Sequence, residues 1–327
     1  MLGYACINQT LSEEGITVNR TARLTTIEKN GAEFIKQLVL ENLTDLQKIL
    51  EWNEAHGYRF YRLSSDMISH VSNEMLSKEI IEEYTLDFAR DKLAEIGKYA
   101  REHAHRLTFH VGQYTLLSSP DEGVRRRSIR DLEIHDDILT AMGLKPETGS
   151  VIILHGGGVY GDIKITIDRI RETISNLPIN VAKRISLEND ERSYDPEDLL
   201  PICEEFSIPF CLDVFHFLVS RGKEEYNNML KNEQLWDRIS MTWKRRGIRM
   251  KIHISSQRPD SRPGAHADYI NPEEINLKTV LCLCKKYDAQ IMVEAKQKEL
   301  AVQRILDEYF YKVNNNGRIE LYLNNIC

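Results

Sequence analysis

Short apolar runs rich in β-branched residues alternate with longer amphipathic segments along the whole chain. Because apolar residues recur with different periods in strands and in helices, this pattern predicts a regular alternation of the two. The predicted strands cover residues 2–7, 58–65, 106–112, 150–157, 184–190, 209–216, 249–255 and 289–296. The predicted helices cover about 31–56, 85–104, 124–142, 162–176, 197–206, 223–246, 272–287 and 297–313.

Strict alternation of strands and helices favours a parallel sheet, and eight such units in one chain favour an α/β TIM (β/α)8 barrel. We therefore predict one domain over residues 1–327, with a loosely attached tail at about 314–327. A doubly wound open sheet is the alternative. It calls for a glycine-rich phosphate loop after the first strand, and "YACINQTLSEEG" is not one. The helix over 272–287 is expected to begin with Asn271 as its N-cap and Pro272 at its first position.

The net charge limits how the protein can bind nucleic acid. A net charge of −7 and a pI of about 5.9 argue against a protein that coats nucleic acid electrostatically. Local basic islands at 123–130, 243–251 and 256–264 still allow a basic groove. Each island is explained equally well as a solvated face.

Cysteine usage and the first residues bear on the compartment. None of the six cysteines forms a C-x-x-C pair, so we expect reduced thiols in an intracellular protein. The opening "MLGYACI" is already a strand and lacks a basic region, which argues against a signal peptide. No apolar run reaches the length of about 18 residues that a spanning helix needs. We therefore expect a cytoplasmic protein, associated with the nucleoid when it acts, without a membrane partner.

Polar side chains gather where the predicted strands end. In a TIM barrel these ends form one rim, which carries the catalytic residues. A histidine there is more often structural than a ligand when it stands alone, but many buried together are costly without cations. Five of the ten histidines and three carboxylates fall on this rim: His110, His155, Glu188, Asp213, His216, His253, His266 and Glu294. The joint pattern predicts a metal cluster.

The types of ligand narrow the chemistry. Imidazoles and carboxylates without thiolates suit zinc, manganese or iron, and argue against a structural zinc site of the cysteine type. Eight ligands are too many for one ion, and a bridging carboxylate such as Glu188 fits two or three. Such clusters hydrolyse phosphodiesters, because one ion lowers the pKa of water while the others hold the phosphate oxygens and the leaving group.

Several motifs along the chain resemble those of the UV damage endonuclease family. They follow one another in order and include nearly every predicted strand end. The motifs are "LGYACINQTL", "YRLSSDM", "FHVGQYTLLSSP", "ILHGGGVYGDIK", "SLENDE", "CLDVFHF", "KIHISSQ", "GAHADYI" and "VEAKQKE". The resemblance implies a barrel related to endonuclease IV and the xylose isomerase-like superfamily. It also implies a repair endonuclease that nicks DNA immediately 5′ of cyclobutane pyrimidine dimers, 6-4 photoproducts and abasic sites.

The resemblance also implies a cofactor and a ligand set. The family is expected to use two to three divalent ions, with manganese preferred and zinc or magnesium as alternatives. Carried over by position, the ligands are the same eight residues, and Glu188 and Glu294 are expected to be catalytic as well. Asp268 is a less certain addition, since the related endonuclease uses an aspartate beside its loop histidine. His70, in the loop after the second strand, could also reach the site.

Gln113 and Tyr114 resemble the residues with which the family probes a lesion. A distorted dinucleotide is cheap to unstack, and side chains can then fill the gap in the duplex. Gln113 can hydrogen-bond to orphaned bases and Tyr114 can stack on them; the alternative is that Tyr114 is a partly buried loop anchor. Tyr4 and Asn8 resemble further positions that bind DNA, although Tyr4 on the first strand could simply fill the barrel.

Lys251 poses an electrostatic question. It shares a strand face with His253, and a protonated amine is unfavourable beside several metal ions. A neutral amine can add carbon dioxide and become an anionic carbamate, and the resemblance implies a carboxylated lysine here. We expect Lys251 to support or contact the cluster in this form, as a catalytic residue. The alternative is a lysine that reaches out of the rim to bind a DNA phosphate.

The main hypothesis is thus a metal-dependent endonuclease acting on damaged double-stranded DNA, without an obligate protein partner. Arg125 to Arg127, Arg258 and Arg262 are candidates for a phosphate-binding groove. A sugar isomerase or epimerase on the same barrel is the second hypothesis; eight ligands disfavour it. A lesion-binding module without activity is the third.

Overall fold

In the computed structural model, which describes residues 2–327, eight short parallel strands form a closed barrel in chain order. The strands are β1 Leu2–Ala5, β2 Phe60–Arg62, β3 Arg106–His110, β4 Ile152–His155, β5 Ile185–Glu188, β6 Phe210–Asp213, β7 Lys251–Ile254 and β8 Gln290–Val293. β8 pairs with β1 and closes the ring, with Ile291 opposite Leu2. The predicted TIM barrel is confirmed, and the open-sheet alternative is wrong.

Helices surround the barrel and connect its strands. They are α1 Gln9–Ser12, α2 Leu24–Asn30, α3 Ala32–His56, α4 Lys78–Glu83, α5 Arg90–Glu102, α6 Glu122–Ala141, α7 Ile163–Ser175, α8 Ile179–Ala182, α9 Pro196–Phe206, α10 Val214–Lys231, α11 Glu233–Lys244, α12 Leu277–Lys286 and α13 Lys298–Tyr309. Short 3-10 turns cover Ser65–Ile68, Leu86–Ala89 and Pro146–Thr148. The main hydrophobic core lies between these helices and the outer face of the barrel. No helix within residues 2–327 combines the length and the apolar character needed to cross a membrane.

The boundary after β6 differs from the prediction. The predicted strand continued to residue 216, but the chain turns into α10 directly after Asp213. The Asp213 Oδ1 atom accepts hydrogen bonds from the backbone N–H groups of Phe215 and His216, both at 2.8 Å. Asp213 therefore caps a helix, and "VFH" is helical although its residues favour strands. The helix predicted over 223–246 is also two helices, which Asn232 separates.

The segment before α12 was also predicted wrongly. The side chain of Asn271 does accept backbone N–H groups, from Glu273 at 3.1 Å and Glu274 at 3.3 Å. However, residues 272–276 form turns, and Asn276 adopts a left-handed conformation with φ 50°. The helix therefore begins at Leu277 rather than at Pro272, because a left-handed residue interrupts the helical path.

The C-terminal tail is a β-hairpin of β9 Phe310–Asn315 and β10 Arg318–Leu323. Arg59 donates a hydrogen bond to the Ile319 carbonyl at 2.7 Å, which attaches the hairpin to the barrel. Cys327 forms a disulfide with Cys282 on α12. The expected loose end is therefore wrong, and so is the expectation that all six cysteines are free thiols.

The inside of the barrel is partly polar. Phe60 packs there against Ala5 and Met292, and a Cβ atom at Gly3 would lie 2.7 Å from the Phe60 ring. Arg106 is buried beside Phe60 and donates hydrogen bonds to the Gln290 side chain at 2.6 Å and the Gly149 carbonyl at 2.8 Å. The barrel therefore carries a buried cation beneath its C-terminal rim.

Candidate metal centre

All eight predicted ligands converge at the C-terminal rim of the barrel. Strand register sets their height, because His155 pairs with Glu188 and Asp213 pairs with His253 on neighbouring strands. His266 arrives from the loop after β7, where it pairs with Gln257 across an antiparallel bridge. The sequence-based expectation that these side chains meet agrees with this geometry.

Glu188 stands at the middle of the cluster and is fully buried. One of its carboxylate oxygens lies 2.9 Å from His110 Nε2, and the other lies 2.8 Å from His253 Nδ1 and 3.8 Å from His216 Nδ1. Three sets of side chains place ligand atoms within 4.8 Å of one another: His110, Glu188 and His253; His155, Glu188 and His216; Asp213, His253 and Glu294. Glu188 belongs to two of these sets, as a bridging carboxylate would.

Glu294 completes the cluster from the end of β8. Its carboxylate lies 3.1 Å from His253 Nδ1 and 3.7 Å from His266 Nδ1. Arg62, at the end of β2, forms an ion pair with the same carboxylate. Arg62 was not among the residues predicted from the sequence, although alternation along β2 places it two residues after the inward-facing Phe60.

Several buried atoms of this cluster have no hydrogen-bond partner and are placed to bind a cation. Within residues 2–327, the buried atoms Asp213 Oδ2, His253 Nε2 and His155 Nδ1 have no hydrogen-bond partner. Leaving buried polar atoms unsatisfied costs about 1–3 kcal/mol each. The donor set has nitrogen and carboxylate oxygen atoms and no thiolate, which is the set that divalent first-row metals accept. The residues present therefore fit the metal cluster that the sequence predicts.

The protonation states of the cluster favour ligation. Burial lowers the pKa of His155 and of His253 to about 4, so both imidazoles are neutral at physiological pH. Burial opposes ionisation of Glu188, but contacts with the surrounding imidazoles, two of which lie at hydrogen-bond distance from its oxygens, hold its pKa well below the usual range. His216 differs: burial disfavours its charged form, yet Asp213 and Glu188 raise its pKa to about 9. His216 is therefore protonated in the metal-free protein, and a metal ion would compete with this proton for the imidazole nitrogen.

Lys251 lies inside the barrel, below the cluster. Its amine donates a hydrogen bond across the barrel to Thr108 Oγ1 at 3.1 Å, and the side chain is fully buried. Burial lowers its pKa to about 7, and Arg62 and Arg106 act in the same direction. The alternative that Lys251 reaches out of the rim to bind DNA is therefore wrong.

Asp268 and His70 lie apart from the cluster. The Asp268 side chain is exposed and belongs to none of the three ligand sets. His70 Nε2 lies 2.9 Å from the Ala22 carbonyl and 3.3 Å from Thr21 Oγ1, in a separate cleft. In this geometry the Asp268 side chain faces solvent, and contacts with Thr21 and Ala22 hold the His70 side chain away from the cluster.

Tyr4 and Asn8 are fully buried, which does not fit direct contact with DNA. The Tyr4 hydroxyl donates a hydrogen bond to Asn53 at 2.5 Å and accepts one from Asn8 at 2.9 Å. The side-chain Oδ1 atom of Asn8 accepts a hydrogen bond from the backbone N–H of Leu11 and so caps α1. Both residues therefore support the loop after β1 from inside the fold. This role follows from their burial, which the sequence alone does not show.

Gln113 and Tyr114 project from the loop after β3. Both are exposed, and Tyr114 is 82% exposed, so it is not a buried loop anchor. Tyr114 lines a largely apolar cleft of about 1270 Å³. Arg127 also lines this cleft, whereas Arg125 binds the Ser119 carbonyl and Arg126 pairs with Glu74.

Arg258 and Arg262 lie on the other side of the metal centre. Both side chains are exposed, on the loop that also carries His266. They line a pocket that Glu294 and His266 share. Their predicted place near the site thus agrees with the structure.

Known proteins resemble this chain over most of its length. The chain matches the family model described as UV-endonuclease UvdE over residues 1–323. It is 40% identical to a putative UV-damage endonuclease of Acanthamoeba polyphaga mimivirus, over 97% of this chain and 94% of that protein. It is 39% identical to the UV-damage endonuclease of Schizosaccharomyces pombe, over 94% of this chain but only 50% of that protein. The chain thus spans about half the length of this fungal relative.

Solved structures show similar folds. The crystal structure of SacUVDE superposes with a TM-score of 0.80 at 30% identity, covering 94% of this chain and 98% of that one. A xylose isomerase domain containing protein from Salmonella typhimurium superposes with a TM-score of 0.50 at 13% identity, covering 79% of this chain and 86% of that one. The second likeness shows the barrel fold alone.

Proposed function

The chain belongs to the UV-endonuclease UvdE family, and from this premise we propose that it nicks DNA immediately 5′ of UV lesions. The lesions are cyclobutane pyrimidine dimers and 6-4 photoproducts, and abasic sites are further substrates. The observation that carries the proposal is the cluster of eight imidazole and carboxylate side chains around Glu188 on one rim. We propose that it holds two or three divalent ions, with manganese preferred over zinc or magnesium.

The chain's own residues organise this site. When bound, divalent ions lower the pKa of water and stabilise charge on phosphate oxygens. Glu188 and Glu294 supply the negative charge that holds such ions together. Arg62 orients the Glu294 carboxylate through its ion pair, and the backbone N–H groups at the start of α10 fix Asp213. These contacts hold the ligands before DNA arrives.

We propose that one barrel domain acts on damaged double-stranded DNA inside the cell, without a further protein. A sugar isomerase or epimerase is the alternative on this fold. One or two ions from about four ligands are typical of such sites, whereas the cluster here has eight.

Incision of a defined duplex tests the proposal. With Mn²⁺, a duplex containing one pyrimidine dimer should be cut once, at the phosphodiester immediately 5′ of the dimer. The same duplex without the dimer should stay intact. Binding without a cut would favour a lesion-binding module, and turnover of a ketose without any cut would favour the isomerase.

Gln113 and Tyr114 are proposed to fill the gap that an unstacked lesion leaves. Stacking on an aromatic side chain contributes about 1–3 kcal/mol per base. We therefore expect Gln113→Ala with Tyr114→Ala to lower kcat/KM on a dimer-containing duplex about 5- to 150-fold. Bound metal should be unchanged, and Tyr311→Ala, which removes another exposed tyrosine, is the control. A double variant that cuts dimers like the wild type would refute this role.

Lys251 is proposed to be carboxylated. Its buried amine lies near Arg62 and Arg106, and conversion to an anionic carbamate would offset both cations. Protein prepared in ¹³C-bicarbonate should show a carbamate carbon signal, and a metal-loaded crystal should show the added group on Nζ. A Lys251→Met variant should lose the signal. If that crystal shows an unmodified Lys251 amine hydrogen-bonded to Thr108, the proposal is contradicted.

A further inference from the structure

Five basic side chains line a pocket of about 590 Å³ beside the metal centre. They are Arg62, Arg258, Arg262, Lys296 and Lys298, and we call this pocket the basic pocket. The cluster residues His266 and Glu294 line it as well. The basic pocket therefore opens onto the proposed metal centre.

Most of the cations in the basic pocket have no ion-pair partner. Arg62 pairs with Glu294, but the other four cations form no ion pair within residues 2–327. Ion pairs are absent from many other basic side chains of this chain as well, so what distinguishes these four is that they lie together around one pocket. Cations placed close together repel one another, and a bound anion would relieve this repulsion.

The loop that carries the two exposed arginines is held rigidly. The Gln257 side chain donates hydrogen bonds to the carbonyls of Arg258 and Arg262, both at 3.0 Å, and accepts one from the Gly264 N–H at 2.9 Å. The Arg258 N–H also donates to the Ala265 carbonyl at 2.7 Å. A loop ordered in advance loses less conformational entropy when it binds a ligand.

Lys296 lies in the adjoining loop after β8, and Lys298 is the first residue of α13, which follows this loop. The Lys296 N–H donates to the Ala267 carbonyl at 3.0 Å, so this loop is tied to the arginine loop. Lys298 has φ 48°, a left-handed conformation that is unfavourable for a lysine. Such conformations persist where the surrounding structure enforces them, and they cluster at binding sites.

We infer that the basic pocket binds a phosphodiester group of the damaged strand, adjacent to the bond that is cut. Arginines bind phosphate oxygens in pairs and lysines add point charge, so the pocket fixes the register of the backbone without reading bases. The loop after β3, with Gln113 and Tyr114, lies across the ring from the loops after β7 and β8. The DNA would therefore pass over the metal centre between the probe and the basic pocket. This inference rests on the proposed function.

The test uses a double variant, Arg262→Gln with Lys298→Gln, and a control of equal charge change. The control, Lys145→Gln with Lys285→Gln, alters exposed lysines next to the starts of β4 and β8, at the opposite end of the barrel. The Mn²⁺-loaded proteins are measured in two ways at several salt concentrations. One is the KM and kcat for a dimer-containing duplex; the other is fluorescence anisotropy with a labelled undamaged duplex.

The pocket variant is expected to weaken binding of both duplexes and to raise KM more than it lowers kcat. The salt slope of log K should fall by about 1–2, because about one counterion is released per phosphate contact. The control should keep the wild-type slope. Arg258→Gln alone should reduce the salt slope about half as much. This single variant keeps the test valid if the double variant does not fold.

The two proposals can fail separately. If the wild type cuts dimers but the pocket and control variants have equal salt slopes, the basic pocket does not bind phosphate. If the wild type does not cut dimers but the pocket variant still has a smaller salt slope of log K than the wild type, the proposed function is wrong. The inference that the basic pocket binds phosphate is then still supported.

Discussion

Glu188→Gln is expected to reduce incision of a dimer-containing duplex by about 10²- to 10⁴-fold. A side chain that takes part directly in catalysis contributes about 10²- to 10⁴-fold to the rate. Glu188 lies within 3 Å of two imidazoles and has a depressed pKa, so its charge is part of the site. Glutamine keeps the shape and removes only the charge.

The measurements for this variant are the single-turnover cutting rate and the metal content of the purified protein. We expect fewer ions per chain together with the slower rate. Glu147→Gln, an exposed acid before β4 at the opposite end of the barrel, is the matched control. Wild-type cutting by Glu188→Gln would remove Glu188 from the mechanism.

Removal of divalent ions is expected to bring incision down to background, and Mn²⁺ should restore it. Metal loading should also raise Tm, because a ligand that binds only the folded state stabilises it by about 2.7 kcal/mol at 100 times its Kd. Without ions, the carboxylates and the protonated His216 balance one another incompletely, and atoms such as Asp213 Oδ2 stay unsatisfied. Full cutting by chelated protein would contradict the metal-dependent mechanism.

The pH dependence of loading follows from His216. Its pKa is raised to about 9, so at neutral pH a metal ion must displace its proton. Metal affinity should therefore rise as pH rises toward 9, and binding should release protons, which calorimetry in two buffers measures. In the metal-free protein, by contrast, a rise in pH lowers the free energy of unfolding. The stability that His216 contributes is fully present below its unfolded pKa of about 6.5 and is lost as pH rises through 9.

Six of the eight proposed ligands could be brought together on the rim from the sequence, because strand position determines both height and direction; His216 in α10 and His266 in the loop after β7 lie beyond the strand ends. Once the alternating pattern defines the strands, a side chain such as His110 or Glu294 at a strand end must lie on the rim. The same rule holds for Lys251 and His253, which share an inward face. It fails for Asp268 and His70, because a loop has no period that fixes where its side chains point.

The alternating pattern by itself thus determined the barrel, its eight units and the polar side chains at the strand ends, since the period of a strand is a local property. Tertiary structure alone decided the contacts across the ring. It paired Arg62 with Glu294 and Lys251 with Thr108, buried Tyr4 and Asn8, and joined Cys282 to Cys327. It also gathered cations from β2 and the loops after β7 and β8 into one pocket. Closure of the barrel sets these distances between residues that are far apart in the chain, and no local period encodes them.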